Sequence, residues 1–159
     1  MPDITITGTT VSFPDSAASP NWATAVIQFA QLVEGALNLV ISAFDVPPQV
    51  YSMVANANSN VNLNALSFPT ANVRAAFISY SVYRSTNTNN ADEAGNLIVV
   101  YNPNGLVGSK WELIQSKAGN AQVTFNITDT GQVQFSSTAL SGINHIGTIS
   151  FFAKTLQQS

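Results

Sequence analysis

The feature that most narrows the fold is a succession of short alternating stretches in the second half of the chain, each closed by turn-forming residues. "NLIVVY" (96–101), "KWELIQ" (110–115), "QVTFNIT" (122–128), "QVQFSST" (132–138) and "HIGTISFFAKTL" (145–156) are separated by "YNPNGLVG", "KAGN", "TDTG" and "LSGIN". Period-two alternation puts successive side chains on opposite faces of a strand, and Gly, Asn, Asp and Pro at the breaks supply turns. Short strands at this spacing predict an antiparallel β-sandwich or barrel. Val123, Phe125 and Ile127, then Val133 and Phe135 after Asp129-Thr130-Gly131, make the clearest hairpin. "NVRAAFISYSVYR" is apolar or small on both faces from Val73 to Tyr83 and reads as a strand buried on both sides.

The N-terminal third has a different grammar. "DITITGTTVSF" alternates, breaks at Gly8 and resumes, which reads as a short strand or extended arm. Ser19 as cap and Pro20 as first helical residue open a helix whose pattern runs from Trp22 to Phe44, until "DVPPQ" forbids continuation. Val26, Ala30, Val33, Leu37, Val40 and Phe44 step by four and three, with a second seam through Phe29 and Leu32 beside them. Thr24, Gln28, Gln31, Gly35, Asn38, Ser42 and Asp45 keep a polar stripe opposite. A membrane span would not keep that stripe, so the reading is an amphipathic helix. It either lies on the chain's own sheet or joins a short bundle of identical chains, as a 3.5-residue seam over three heptads allows. In the second case Phe29, Leu32, Val33, Leu37 and Val40 form the assembly interface.

Between helix and strands lies "NANSNVNLNA" (56–65), with Asn at 56, 58, 60, 62 and 64. An extended chain there would present one face of carboxamides and one of small or apolar side chains. Asn58, Asn60 and Asn62 could pair with their equivalents across an assembly, each hydrogen bond contributing about 0.5–1.5 kcal/mol; alternatively the stretch is a polar linker. Composition favours assembly. Only 8% of residues are charged, against about 25% in an average protein, while 45% are hydrophobic and seventeen are Asn. Neutral amides can enter an interface without the cost of burying charge.

The net charge of −3, with five scattered Lys and Arg, leaves no basic patch for phosphates and argues against nucleic acid. No Cys means no disulfide framework. The start, "MPDITITGTT", shows no signal peptide, which implies synthesis in a cytoplasm. His145 reads as a hydrogen-bonded residue at the entrance to the last strand rather than a base. Asp92 and Glu93 read as a solvated loop tip without cation-liganding spacing, and the "NPNGLVG" glycines as a turn. Glu112 and Asp129 stand in no register with a second acid, so no catalytic set, metal site or cofactor is expected. Tyr80, Tyr83, Tyr101 and Trp111 are strand aromatics, expected in a core; Tyr83, Tyr101 and Trp111 are the candidate contacts if an oligomer groove stacks on sugars.

The stretches "SPNWATAVIQFAQLVEGAL", "FDVPPQ", "LSFPTANVRAAFISYSVYR", "VVYNPNGLVGSKWEL" and "VTFNITDTGQVQFSSTALSGINHIGTISFFAKTL" resemble small virion proteins of tailed bacteriophages, whose C-terminal sandwich is similar to the trimeric jelly-roll knobs of the TNF and C1q type. The likeness runs from about residue 18 to 156 and holds patterns of strand and turn, with no defined site. It implies a mainly β chain: an N-terminal arm and helix (1–46), an extended Asn-rich connector (47–70) and an antiparallel jelly-roll sandwich (71–159). It implies a homotrimeric capsid decoration or short fibre protein of the virion, assembled in the host cytoplasm and docking on other phage capsid or tail proteins through its N-terminal part. The rivals are a receptor-binding knob for a host surface glycan and an enzyme acting on bacterial polysaccharide.

Overall fold

The computed structural model describes residues 3–6, 9–12, 22–40 and 43–157, with helix side chains described for 24–33. The chain divides into two compact units, Met1–Ala43 and Phe44–Ser159. In the first, β1 (Asp3–Ile6) and β2 (Thr9–Ser12) pair antiparallel, Asp3 opposite Ser12 and Ile6 opposite Thr9. The extended arm expected there is thus a hairpin. Helix α1 spans Trp22–Val40, and Phe44, the expected last helical residue, lies in a turn. Ala25 is buried, with Phe29 and Leu32 packed against it, and Val33 is half-buried. Leu37 and Val40 continue the helix, but their side chains lie outside the described residues, as do Ser19 and Pro20.

The second unit is an antiparallel β-sandwich. Its strands are β3 (Val46–Ser52), β4 (Asn58–Ser67), β5 (Val73–Ser85), β6 (Asn90–Tyr101), β7 (Trp111–Gly119), β8 (Val123–Ile127), β9 (Gln132–Ser137) and β10 (Ile146–Gln157). A five-stranded sheet, β3-β10-β5-β6-β7, faces a three-stranded one, β4-β9-β8. Neighbours β3–β10, β4–β9 and β6–β7 are the nested pairs of a rolled hairpin, as in a jelly roll, but β5 pairs with β6 and not with β8. The run β5-β6-β7 is therefore a plain meander.

Two expectations need correction here. The stretch 47–70, read as a connector, is mostly β3 and β4, and both sheets depend on it. The prolines that end the helical pattern, Pro47 and Pro48, fit because β3 is an edge strand and its pairing with β10 is irregular between Val46 and Gln49, so neither missing N–H interrupts a regular ladder. The Asn row falls in a real strand whose register shifts after Asn58 and again after Asn62, so Leu63 and Leu66 both enter the core beside Phe68, Val99, Val133 and Phe135. Strand β5, in turn, is not buried on both sides. Ile78, Tyr80, Val82 and Arg84 point inward, whereas Phe77 and Tyr83 stand nearly half exposed on the outer face. A five-stranded sheet covered by a three-stranded one has only its inner face enclosed.

The β8–β9 hairpin forms as its sequence predicts, with Phe125 opposite Phe135 and Ile127 opposite Val133. Its turn depends on Gly131, at φ 85°, where a Cβ would lie 2.0 Å from the Phe68 carbonyl oxygen. That backbone approach is only open to glycine.

Candidate functional site

The sandwich offers two outer faces of opposite character. On the three-stranded sheet the carboxamides close on one another. Asn62 Oδ1 accepts from Gln134 Nε2 at 2.8 Å, and Asn60 Oδ1 accepts from Asn126 Nδ2 and Ser136 Oγ at 3.2 Å. Asn58 Nδ2 donates to Ala55 O and Ser137 Oγ. In the amide row Asn58, Asn60 and Asn62 thus find hydrogen-bond partners inside the chain, while Asn64 is exposed. The row's first member differs: Asn56 Nδ2 donates to Leu140 O at 2.7 Å, and its Oδ1 accepts from Leu140 N at 2.9 Å.

The outer face of the five-stranded sheet is apolar along one side. Phe77, Ile98, Ile114, Val100, Phe152, Leu156 and Val50 are all substantially exposed there. Toward the middle the face is floored by small side chains. Two shallow depressions meet at Ser81 and Ser150. One, of about 360 Å³, runs from Pro48 and Val50 to Phe152. The other, of about 510 Å³, is walled by Tyr83, Asp92, Ala118 and Thr148. Tyr83 and Asp92 are direct cross-strand partners, which places a phenol beside a carboxylate at the rim.

The other two aromatics proposed for sugar contact do not join Tyr83. Trp111 is 6% exposed and belongs to the core, its ring centroid 6.4 Å from Phe68 and 5.2 Å from Tyr101. Burial of the indole against Phe68 makes it structural, and Tyr101 packs half-buried on it at the far end of β6.

The pair Asp92–Glu93 sits in strand β6 and not in a loop, so its two acids point to opposite faces. Glu93 is buried and collects four donors: Tyr80 Oη at 2.8 Å, Gln115 Nε2 at 3.1 Å, Lys117 Nζ at 2.9 Å and Ala121 N at 3.1 Å. Burial pushes the Tyr80 phenol up to about 12. Arg84 is wholly buried, and among the described residues no carboxylate bonds to it. Its Nη1 donates to Ala121 O at 2.8 Å, its Nη2 to Thr138 O at 2.8 Å, to Asn56 O and to Asn56 Oδ1 at 3.1 Å, and its Nε to His145 Nε2 at 3.4 Å. Asn56, Ala121 and Thr138 lie in the β3–β4, β7–β8 and β9–β10 connections, each of which crosses between the sheets. One guanidinium therefore ties three crossings together. This hub is the residue that sequence reasoning missed; its only signal was an Arg in phase with Ile78, Tyr80 and Val82.

His145, just before β10, has its titration pushed down by burial and by the Arg84 charge. Asp129, in the β8–β9 turn, accepts from the N–H groups of Gly108 and Lys110, which hold its carboxyl below the usual range. It closes the "NPNGLVG" turn, a structural task. Among the described residues no group of three or more His, Cys, Asp or Glu could hold a metal, and no helix is long and apolar enough to cross a membrane.

No protein-family model and no curated protein matches the chain. Among solved structures it is similar to the tailspike protein of Acinetobacter baumannii phage AM24, at 10% identity and a TM-score of 0.41 over 72% of this chain and 27% of that one. It is also similar to the tailspike protein of Acinetobacter phage vB_ApiP_P1, at 12% identity and a TM-score of 0.37 over 67% of this chain and 22% of that one. The chain thus spans less than a third of the length of either tailspike.

Proposed function

We propose that the chain is a non-enzymatic structural component of a tailed-phage virion, a homotrimeric capsid decoration or short fibre protein that docks through its N-terminal unit and carries the sandwich outward. The observation that carries this reading is the open apolar surface of the helix. Among the described side chains of α1 only Ala25 is buried, while Val26 and Ile27 are more than half exposed. A helix with so little of its own to bury gains stability from a docking surface. The low charge of the chain and the resemblance of its strand and turn stretches to small phage virion proteins support the same reading.

Two measurements test it. Mass spectrometry and antibody labelling of purified particles should find the chain on the virion, and a form lacking residues 1–43 should no longer attach. Light scattering should give three chains for the full-length protein. Absence from particles, or a monomer at all concentrations, sinks the reading.

A second reading, a knob recognising a host surface glycan, is favoured by the depression beside Tyr83 and Asp92. Phenol faces stack on sugar rings and carboxylates accept from hydroxyls. A glycan array on the native protein and on Tyr83→Ala separates the two readings: binding that the substitution abolishes supports the knob.

A further inference from the structure

We propose that the apolar strip on the outer face of the five-stranded sheet is an interface with a second copy of this chain. The proposal rests on the assembly reading above and assigns the contact to the sheet instead of to the helix or the Asn row. Strand register makes the strip continuous. Ile98 stands opposite Phe77 on one side and Ile114 on the other, and Ala75 stands between Val100 and Leu156. Phe152, opposite Ser79, and Val50, opposite Ser150, extend the strip along the diagonal, within the reach of cross-strand neighbours.

The seven large side chains are 39 to 68% exposed. Together they leave on the order of 600 Å² of apolar surface on one face, the top of the range for the largest patch of a typical monomer. That also approaches the roughly 800 Å² that each partner contributes to a standard interface.

Two observations make the occupant another copy. Lys154, opposite Phe77 on β10 and paired with Asp45 Oδ2 at 2.8 Å, and Glu112, opposite Val100 on β7, set opposite signs at the two ends of the strip's rows, so a surface of the same composition can meet it without like charges opposed. The rest of the strip is uncharged, as the core of a self-association surface tends to be.

The test uses the full chain. Sedimentation equilibrium of wild type, Ile98→Lys, Ile114→Lys and the control Leu106→Lys, whose side chain is exposed in the loop after β6, reads the association directly. Circular dichroism checks that each variant folds. Self-association of wild type, weakened at least 100-fold by Ile98→Lys and Ile114→Lys and unchanged by Leu106→Lys, is the expected result. Association that survives both strip substitutions but is lost in Leu32→Lys overturns this interface and leaves the assembly reading standing, with its contact on the helix. A wild-type monomer at every concentration overturns both. If a lysine variant fails to fold, radical footprinting of wild type decides: Phe77 and Phe152 should be labelled less in concentrated than in dilute protein, and equal labelling overturns the proposal.

Discussion

Replacing Arg84 by Met removes a side chain that reaches three crossings of the sandwich at once. The apolar stem is kept, so the loss falls on the hydrogen bonds. The carbonyls of Ala121, Thr138 and Asn56 lose their donor, and a buried group left unsatisfied costs about 1–3 kcal/mol. Part of this is offset, because the variant no longer holds a desolvated charge in the interior. The net expectation is a loss of about 3–5 kcal/mol, or on the order of 10 °C in Tm at this chain length. Arg84→Lys should lose about half as much, since one ammonium cannot fork to carbonyls on three loops. Urea unfolding at one fixed protein concentration measures both, because association itself adds stability. A Met variant within about 1 kcal/mol of wild type would refute the reasoning, since three buried carbonyls left without a donor should outweigh the relief of the removed charge; the crossings would then be held by packing alone.

The same region predicts a pH response. His145 titrates below its unfolded value of about 6.5, so the unfolded chain binds the proton first; the contribution is whole above that pH and is lost as pH falls toward the folded value. Unfolding midpoints measured from pH 8 to 5 should therefore drop in wild type and flatten in His145→Gln. Tyr80 works at the other end, its phenol raised to about 12, so stability should fall between the unfolded value of about 10 and that pH, less steeply in Tyr80→Phe. Glu93→Gln sets an amide N–H₂ against Lys117 Nζ and Ala121 N or, flipped, against Gln115 Nε2 and should cost about 2–3 kcal/mol by urea titration. Gly131→Ala sets a Cβ against the Phe68 carbonyl at positive φ and should cost about 2–4 kcal/mol by the same titration, with a near-neutral result counting against the turn geometry.

What the sequence determined alone was local. Alternation and turn residues predicted β6 through β10, the Asp129-Thr130-Gly131 hairpin and the sandwich class, because period and turn chemistry act over a few residues. The helix was likewise legible from its seams, though the turn at Ala43 and Phe44 was not. Tertiary structure decided the rest, since it depends on pairings across long stretches of chain. Asn62 meets Gln134 and Arg84 meets Thr138, and no local pattern contains those partners. Pairing with β9 made a strand of the Asn row, and the small opposing sheet left Phe77 and Ile98 outside while Trp111 went in. Adjacent acids split into a buried Glu93 and an exposed Asp92 because a strand turns neighbours to opposite faces, and only the packed sandwich says which face is dry.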